Sequence, residues 1–299
     1  MAAINLIPIA LKSLTSDGWL LFLTRFVRLF AYGSLSVILV FYLVGLGLTT
    51  AQTGLLLTLT LAGDIVISLF LTTRADRIGR RRMLIAGAIL MAAAGLAFAV
   101  TRNFLFLLIA GTIGVISPSG NEVGPFLSIE QAALSHVVSS KARTEVFAWY
   151  TLAGSLATAL GALFGGTVSQ TLQKSLMTPV ESYRVVVLSY AALGIVLALL
   201  FARLSSLAEV SPAAEETASL GTVAKAFGIT RSRHVVLKLS SLFALDSFAG
   251  GFVVQSFAAY WFYLRFGVRP AALGAIFSGR IFLREHRLCW LPGWRRASG

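Results

Sequence analysis

Between Leu29 and Leu48 the chain carries no charged side chain, and comparable uncharged apolar stretches recur along its length. A helix needs about 20 such residues to cross a hydrocarbon core about 30 Å thick. Composition points the same way: 57% of residues are hydrophobic and 12% are charged, the latter about half the usual share in soluble domains. A soluble chain of this length would need more polar surface to cover its core. The chain is therefore read as an all-α integral membrane protein with several transmembrane helices.

The net charge of +13 would suggest nucleic acid as the partner of a soluble protein. Here the positive residues sit mostly between apolar stretches, so they are assigned to topology and no nucleic-acid partner is expected. Cys289 is the only cysteine, which rules out an internal disulfide and any cysteine-built metal site. No metal or cofactor is expected. The N-terminus has no basic segment ahead of a short apolar run with a small-residue cleavage site, so the first hydrophobic stretch is expected to be retained as a helix.

Hydropathy places helices at about Trp19–Leu46, Thr53–Leu71, Met83–Val100, Phe104–Phe126, Val146–Val168, Val185–Phe201 and Leu239–Tyr263. The fourth is expected to be broken or kinked around Ser117-Pro118-Ser119-Gly120. The loops after the second, fourth and sixth helices hold Arg74, Arg77, Arg80, Arg81, Arg82, Lys141, Arg143, Lys225, Arg231 and Arg233. The opposite loops hold only Arg102, Lys174, Arg265 and Arg269. Positive residues favour the cytoplasmic side, which puts the N-terminus and the even loops in the cytoplasm.

This divides the chain into a six-helix bundle over 1–204, a polar cytoplasmic linker over 205–234 and the start of a second bundle over 235–283. A basic tail over 284–299 follows. From Pro270 to Leu283 the apolar run spans only about 21 Å and already contains Arg280. The last stretch, Arg284 to Gly299, has neither helix periodicity nor the composition of the rest. It reads as an ordinary basic tail or as a truncated or out-of-frame end, and its composition favours the second.

The loop after the second helix reads Thr72-Thr73-Arg74-Ala75-Asp76-Arg77-Ile78-Gly79-Arg80-Arg81-Arg82. It resembles the signature loop of major facilitator superfamily transporters, a glycine followed after three residues by Asp-Arg-x-Gly-Arg-Arg. Asp76, Arg77, Gly79, Arg80 and Arg81 match, and Thr72 stands where the family has its leading glycine. The resemblance implies an N-terminal six-helix bundle, followed here by a seventh helix and an incomplete eighth. It also implies a latch in which the aspartate bonds the facing half of the molecule. A carboxylate among arginines makes charge-assisted hydrogen bonds, and Gly79 permits a tight turn. In the fifth helix, Gly161-Ala162-Leu163-Phe164-Gly165-Gly166 is similar to the antiporter signature Gly-Pro-x-x-Gly-Gly, with Ala162 in place of the proline. Close helix packing through small residues is the alternative.

Ionisable residues within a span are costly and are candidates for function. Asp64 lies in the second helix, Asp246 in the seventh, and Arg25 and Arg28 one turn apart in the first. Asn121 and Glu122 follow the expected break, and interrupted helices commonly line substrate sites near the midplane. Arg25 or Arg28 would supply their counter-charge, with snorkelling to the interface as the plainer alternative for both. Asp64 is a candidate to carry a coupling proton. Glu130, Glu145 and His136 lie near the cytoplasmic end and are expected to be solvated or paired.

No Walker loop, nucleophile elbow or His-Glu-x-x-His motif occurs, so neither an ATP-driven pump nor an enzyme is expected. The expected activity is secondary transport of a small solute across a bacterial-type inner membrane, coupled to protons. A truncated, non-transporting fragment or scaffold is the alternative.

The short final apolar run generates a prediction. A topology reporter fused after Gly299 and active only outside the cytoplasm should give signal in at least about half of the molecules, because Arg280 adds up to about 3 kcal/mol to a crossing that is already short. A uniformly cytoplasmic reporter would show that the run spans.

Overall fold

Four helices begin where a side chain supplies an acceptor for otherwise orphaned N–H groups, at Thr15, Thr49, Asn103 and Thr178. In the computed structural model, which describes residues 11, 14–120, 124–139, 142–205, 233–251 and 254–279, Thr15 caps α1 (Ser16–Gly45) by accepting from the N–H of Gly18 at 3.3 Å. Thr49 and Gln52 form a capping box that opens α2 (Thr50–Ile78). Gly79 turns the chain at φ 111° into α3 (Arg80–Val100), a conformation that favours glycine. Asn103 caps α4 (Phe104–Ile113). The chain then passes through α5 (Phe126–Val137) and α6 (Arg143–Lys174). A second capping box, Thr178 with Glu181, starts α7 (Pro179–Phe201) behind a proline suited to the first turn. Beyond the linker come α8 (Arg233–Gly251), α9 (Gln255–Phe266) and α10 (Pro270–Gly279).

Five of these helices, α1, α2, α3, α6 and α7, are long and apolar enough to cross a membrane. The most apolar stretch of α1 is 83% buried and that of α2 only 28%. That contrast makes α1 the central column and sets α2 at the periphery. Exposed Ile65, Val66 and Leu69 of α2, and Val100 of α3, present an apolar surface suited to lipid.

Close packing among the helices depends on missing side chains. A Cβ on Gly161 would overlap the carbonyl oxygen of Phe30, and one on Gly165 that of Ser34. From the other side, a Cβ on Gly33 would overlap the carbonyl of Thr158. So α1 and α6 meet backbone to backbone, which is how helices associate where lipid removes the hydrophobic drive. Gly194 of α7 sits against Ala92 of α3, and Gly63 of α2 against Thr112 of α4, by the same device. Gly166 faces Pro270 and Ala271 at the start of α10.

The fourth expected helix, placed over Phe104–Phe126 with a break or kink around Ser117-Pro118-Ser119-Gly120, is broken there, over a longer stretch than expected. It ends at Ile113, runs without helix from Gly114 to Pro125 where described, and resumes at Phe126. Pro118 lacks an N–H, and Gly120 and Gly124 take φ of 69° and 86°, outside helical geometry. The seventh is not continuous over Leu239–Tyr263 but divides into α8 and α9 after Gly250-Gly251. The terminal turn of α9 is engaged by other elements, as described below. Most of the expected linker over 205–234 (residues 206–232), the end of the last apolar run from Arg280 and the whole expected tail over 284–299 lie outside the described residues.

The glycine contacts give a measurable consequence. Gly161→Ala should lower the thermal midpoint in detergent, at a cost of about 1–3 kcal/mol, the usual range for overpacking. Gly279→Ala meets open space and should stay within about 0.5 kcal/mol of the parent. Equal midpoints for the two variants would contradict the backbone contact.

Candidate functional site

Along α1, Thr24, Arg28, Tyr32 and Ser36 recur every four residues and so share one face. All four are fully buried, and their polar ends organise the interior of the bundle. A buried carboxylate must be paired, hydrogen-bonded or neutral. Glu130, on the buried stripe of α5 with Phe126, Ile129, Ala133 and Leu134, is completely enclosed. Its Oε2 accepts from Arg28 at 2.5 Å and from the Tyr150 hydroxyl of α6 at 2.5 Å. Its Oε1 accepts from Thr24 at 3.2 Å. The Arg28 guanidinium lies 4.9 Å from the centre of the Phe126 ring, and that of Arg25 lies 4.2 Å from the Tyr150 ring. Aromatic faces attract both cations.

The same stripe continues to the broken helix. Tyr32 stacks on Tyr190 of α7, ring centres 6.3 Å apart. The Tyr190 hydroxyl donates to the carbonyl of Val115 in the break. One turn further along α1, the carbonyl of Ser36 accepts from the Ser256 hydroxyl at 2.7 Å, and the Ser36 hydroxyl accepts from Gln255 at 3.0 Å. Ser256 also donates its N–H to the carbonyl of Pro118 at 3.3 Å, and its hydroxyl is shared with that carbonyl. From α2, Asp64 accepts a long hydrogen bond from Ser68 at 3.5 Å and lies near the backbone N–H of Gly124. Non-helical backbone at membrane depth is tolerated only where protein or water satisfies it. Here α7 and α9 supply such partners.

The residues singled out from sequence fall into separate groups. Asp64 is at the break. Arg28, expected as a counter-charge for Glu122, is paired with Glu130, and Asn121 and Glu122 lie outside the described residues. Glu130, expected to be solvated or paired, is paired and buried. The signal that marks it is a carboxylate on an otherwise apolar helical stripe.

In the signature loop, Asp76 and Arg77 occupy the last turn of α2 and Gly79 makes the turn. Arg80 is buried at the start of α3. Arg81 donates to the carbonyl of Ala202 at the end of α7, where a cation suits the helix C-terminus. Asp246 belongs to α8, remote in sequence from both groups. The reading of sequence alone missed Asp17, which accepts from the N–H of Ser205 at 3.2 Å and from its hydroxyl, fastening the linker's start to α1.

Comparison with known proteins bears on this arrangement. The family described as Major Facilitator Superfamily matches residues 21–283. An uncharacterized membrane protein of Saccharomyces cerevisiae, YJR124C, is 32% identical over 290 residues, covering 89% of this chain and 65% of its own length. Quinolone resistance protein NorA of Staphylococcus aureus is 32% identical over 99 residues, covering 33% of this chain and 26% of its own length. The chain therefore spans less than two thirds of either relative.

The buried pair predicts a marked asymmetry in stability. Arg28→Met and Glu130→Leu should each cost about 3–5 kcal/mol, because each strands the opposite charge. The double variant should cost less than the two single costs added. Additive losses in a double-mutant cycle of detergent unfolding would show that the two side chains do not interact.

Proposed function

The chain belongs to the major facilitator superfamily, and on that footing we propose that it serves as a secondary transporter of a small organic solute. It lies in the cell membrane with its N-terminus in the cytoplasm. The observation that carries this reading is the break in the fourth helix, where polar groups from α1, α2, α7 and α9 converge among spanning helices. Interrupted helices of this kind supply backbone and side-chain groups to a solute without exposing them to lipid. The similarity to a protein named for quinolone resistance makes aromatic organic solutes the first class to test. The rings of Tyr32 and Tyr190 beside the break suit such a solute.

Protons are the proposed coupling ion. Asp64 is the carboxylate at the break itself, and Glu122 follows it in sequence. The signature loop is proposed as a latch that acts through Asp76, with Arg77, Arg80 and Arg81 around it. In the alternating-access cycle of such proteins, two bundles rock about a shared site. Gln255 and Ser256 are where the second bundle meets the first.

Reconstitution tests the proposal. The purified chain in liposomes should take up a labelled quinolone when a pH gradient is imposed. Asp64→Asn should reduce that flux at least about tenfold, a barrier change of about 1.4 kcal/mol, while exchange without a gradient persists. Gradient-driven flux unchanged in this variant would remove Asp64 from the proton path. No flux of any solute in the parent would overturn the transport reading. In a longer relative with the same loop, Asp76→Asn should lower transport with little loss of membrane insertion, and unchanged uptake would remove the latch role.

A further inference from the structure

Glu130 is fully enclosed, yet its surroundings accommodate more than one protonation state. As an anion it accepts from Arg28 at 2.5 Å, from Tyr150 at 2.5 Å and from Thr24 at 3.2 Å. The single hydroxyl proton of Thr24 has a second destination, the carbonyl oxygen of Leu21 at 3.0 Å. With its proton there, Thr24 turns lone pairs towards Glu130 and can accept from a protonated acid. The Tyr150 phenol can likewise donate or accept. Arg28 cannot accept and does not lose its proton. Protonation of Glu130 therefore removes the negative charge beside Arg28, whose guanidinium also lies against the faces of Phe126 and Tyr32, at 4.9 and 6.0 Å. A carboxylate held only as an anchor needs donors alone. Thr24 and Tyr150 add acceptors.

We propose that Glu130 is a proton-carrying group of the transport cycle, with Thr24 as the residue that receives the hydrogen bond of its neutral form. One proton passes from water to a carboxylate oxygen when α5 parts from α1 and α6. The pair of one anion and one cation becomes a neutral acid beside Arg28, and the cluster gains one positive charge. Loss of the proton to water on the other side restores the pair. This cycle rests on the transport reading, but the protonation of Glu130 can be observed without it.

The charged and titratable groups around α5 are Arg25 and Arg28 on α1 and Tyr150 on α6. Asp64, Arg74, Asp76 and Arg77 belong to α2, and Arg80, Arg81 and Arg82 to α3. His136 lies on α5 itself. Of these, Arg28 and Tyr150 hydrogen-bond the Glu130 carboxylate directly, and Arg25 reaches it through the Tyr150 ring.

Infrared difference spectra of the full chain in lipid vesicles, taken as the medium is acidified, test the proposal. One component of the carboxylic acid C=O absorption that moves in heavy water should be present in the parent and in Asp64→Asn and lost in Glu130→Gln, whose spectrum keeps the components of the other carboxylic acids. Thr24→Val, which keeps the shape and removes the acceptor, should need about tenfold more acid for the same band, one pH unit. Thr24→Ser should restore the parent's behaviour. A Glu130→Gln spectrum that loses no component of the parent's, or no difference between Thr24→Val and the parent, overturns the assignment. If the parent carries solute, Glu130→Gln should lose gradient-driven flux and keep exchange; gradient-driven flux intact in that variant overturns the coupling role. Flux absent from the parent overturns the transport reading instead, and the band alone then decides Glu130.

Discussion

Hydrocarbon offers no hydrogen-bond partner, so every peptide group at membrane depth must find one within the protein. That requirement makes the spans helical, and among the described residues it bears hardest on the stretch where the fourth helix is given up. Between Gly114 and Pro125 two carbonyls of the break, those of Val115 and Pro118, receive protons from Tyr190 and Ser256. Where described, the break is therefore held by α7 and α9. Its cost in helix hydrogen bonds is offset by bonds that join elements distant in the chain.

The other organising element is α1, whose two faces carry different tasks. Gly33, Phe30 and Ser34 present backbone to Gly161, Thr158 and Gly165 of α6, an approach that any larger side chain at the glycines would block. Thr24, Arg28, Tyr32 and Ser36 form a polar stripe that reaches Glu130, the break and α9 in turn. A shift of α1 against α6 would be felt by the ion pair and the break together, since one rigid helix bears on both.

The buried pair is an expensive way to join helices. Taking two charges out of water costs several kcal/mol per ion, and their mutual attraction offsets this only with good geometry and further hydrogen bonds. Here the carboxylate has those bonds, from Tyr150 and Thr24, and two aromatic rings flank the guanidinium. An apolar pair of similar size would hold α1 and α5 together at less cost. That cost agrees with the proposal that the cluster changes protonation state.

The amino-acid sequence by itself determined the membrane class, the order and approximate ends of the first three spans, and the tight turn at Gly79. These depend on local matters: runs of apolar side chains, capping residues, and a backbone angle that glycine favours. It also marked Pro118 as a point of weakness, because a missing N–H is a property of one residue. Only the tertiary structure decided how far the fourth helix unwinds and that the seventh divides, since both depend on partners distant in the chain, 75 residues for Val115 with Tyr190 and 138 for Pro118 with Ser256. It alone paired Arg28 with Glu130, because a carboxylate on an apolar stripe shows that a counter-charge is needed but not which helix brings it. The close approach of Gly161 and Gly165 to α1 has the same character: the small residues are visible in the chain, and the facing carbonyls become visible only once the helices are packed.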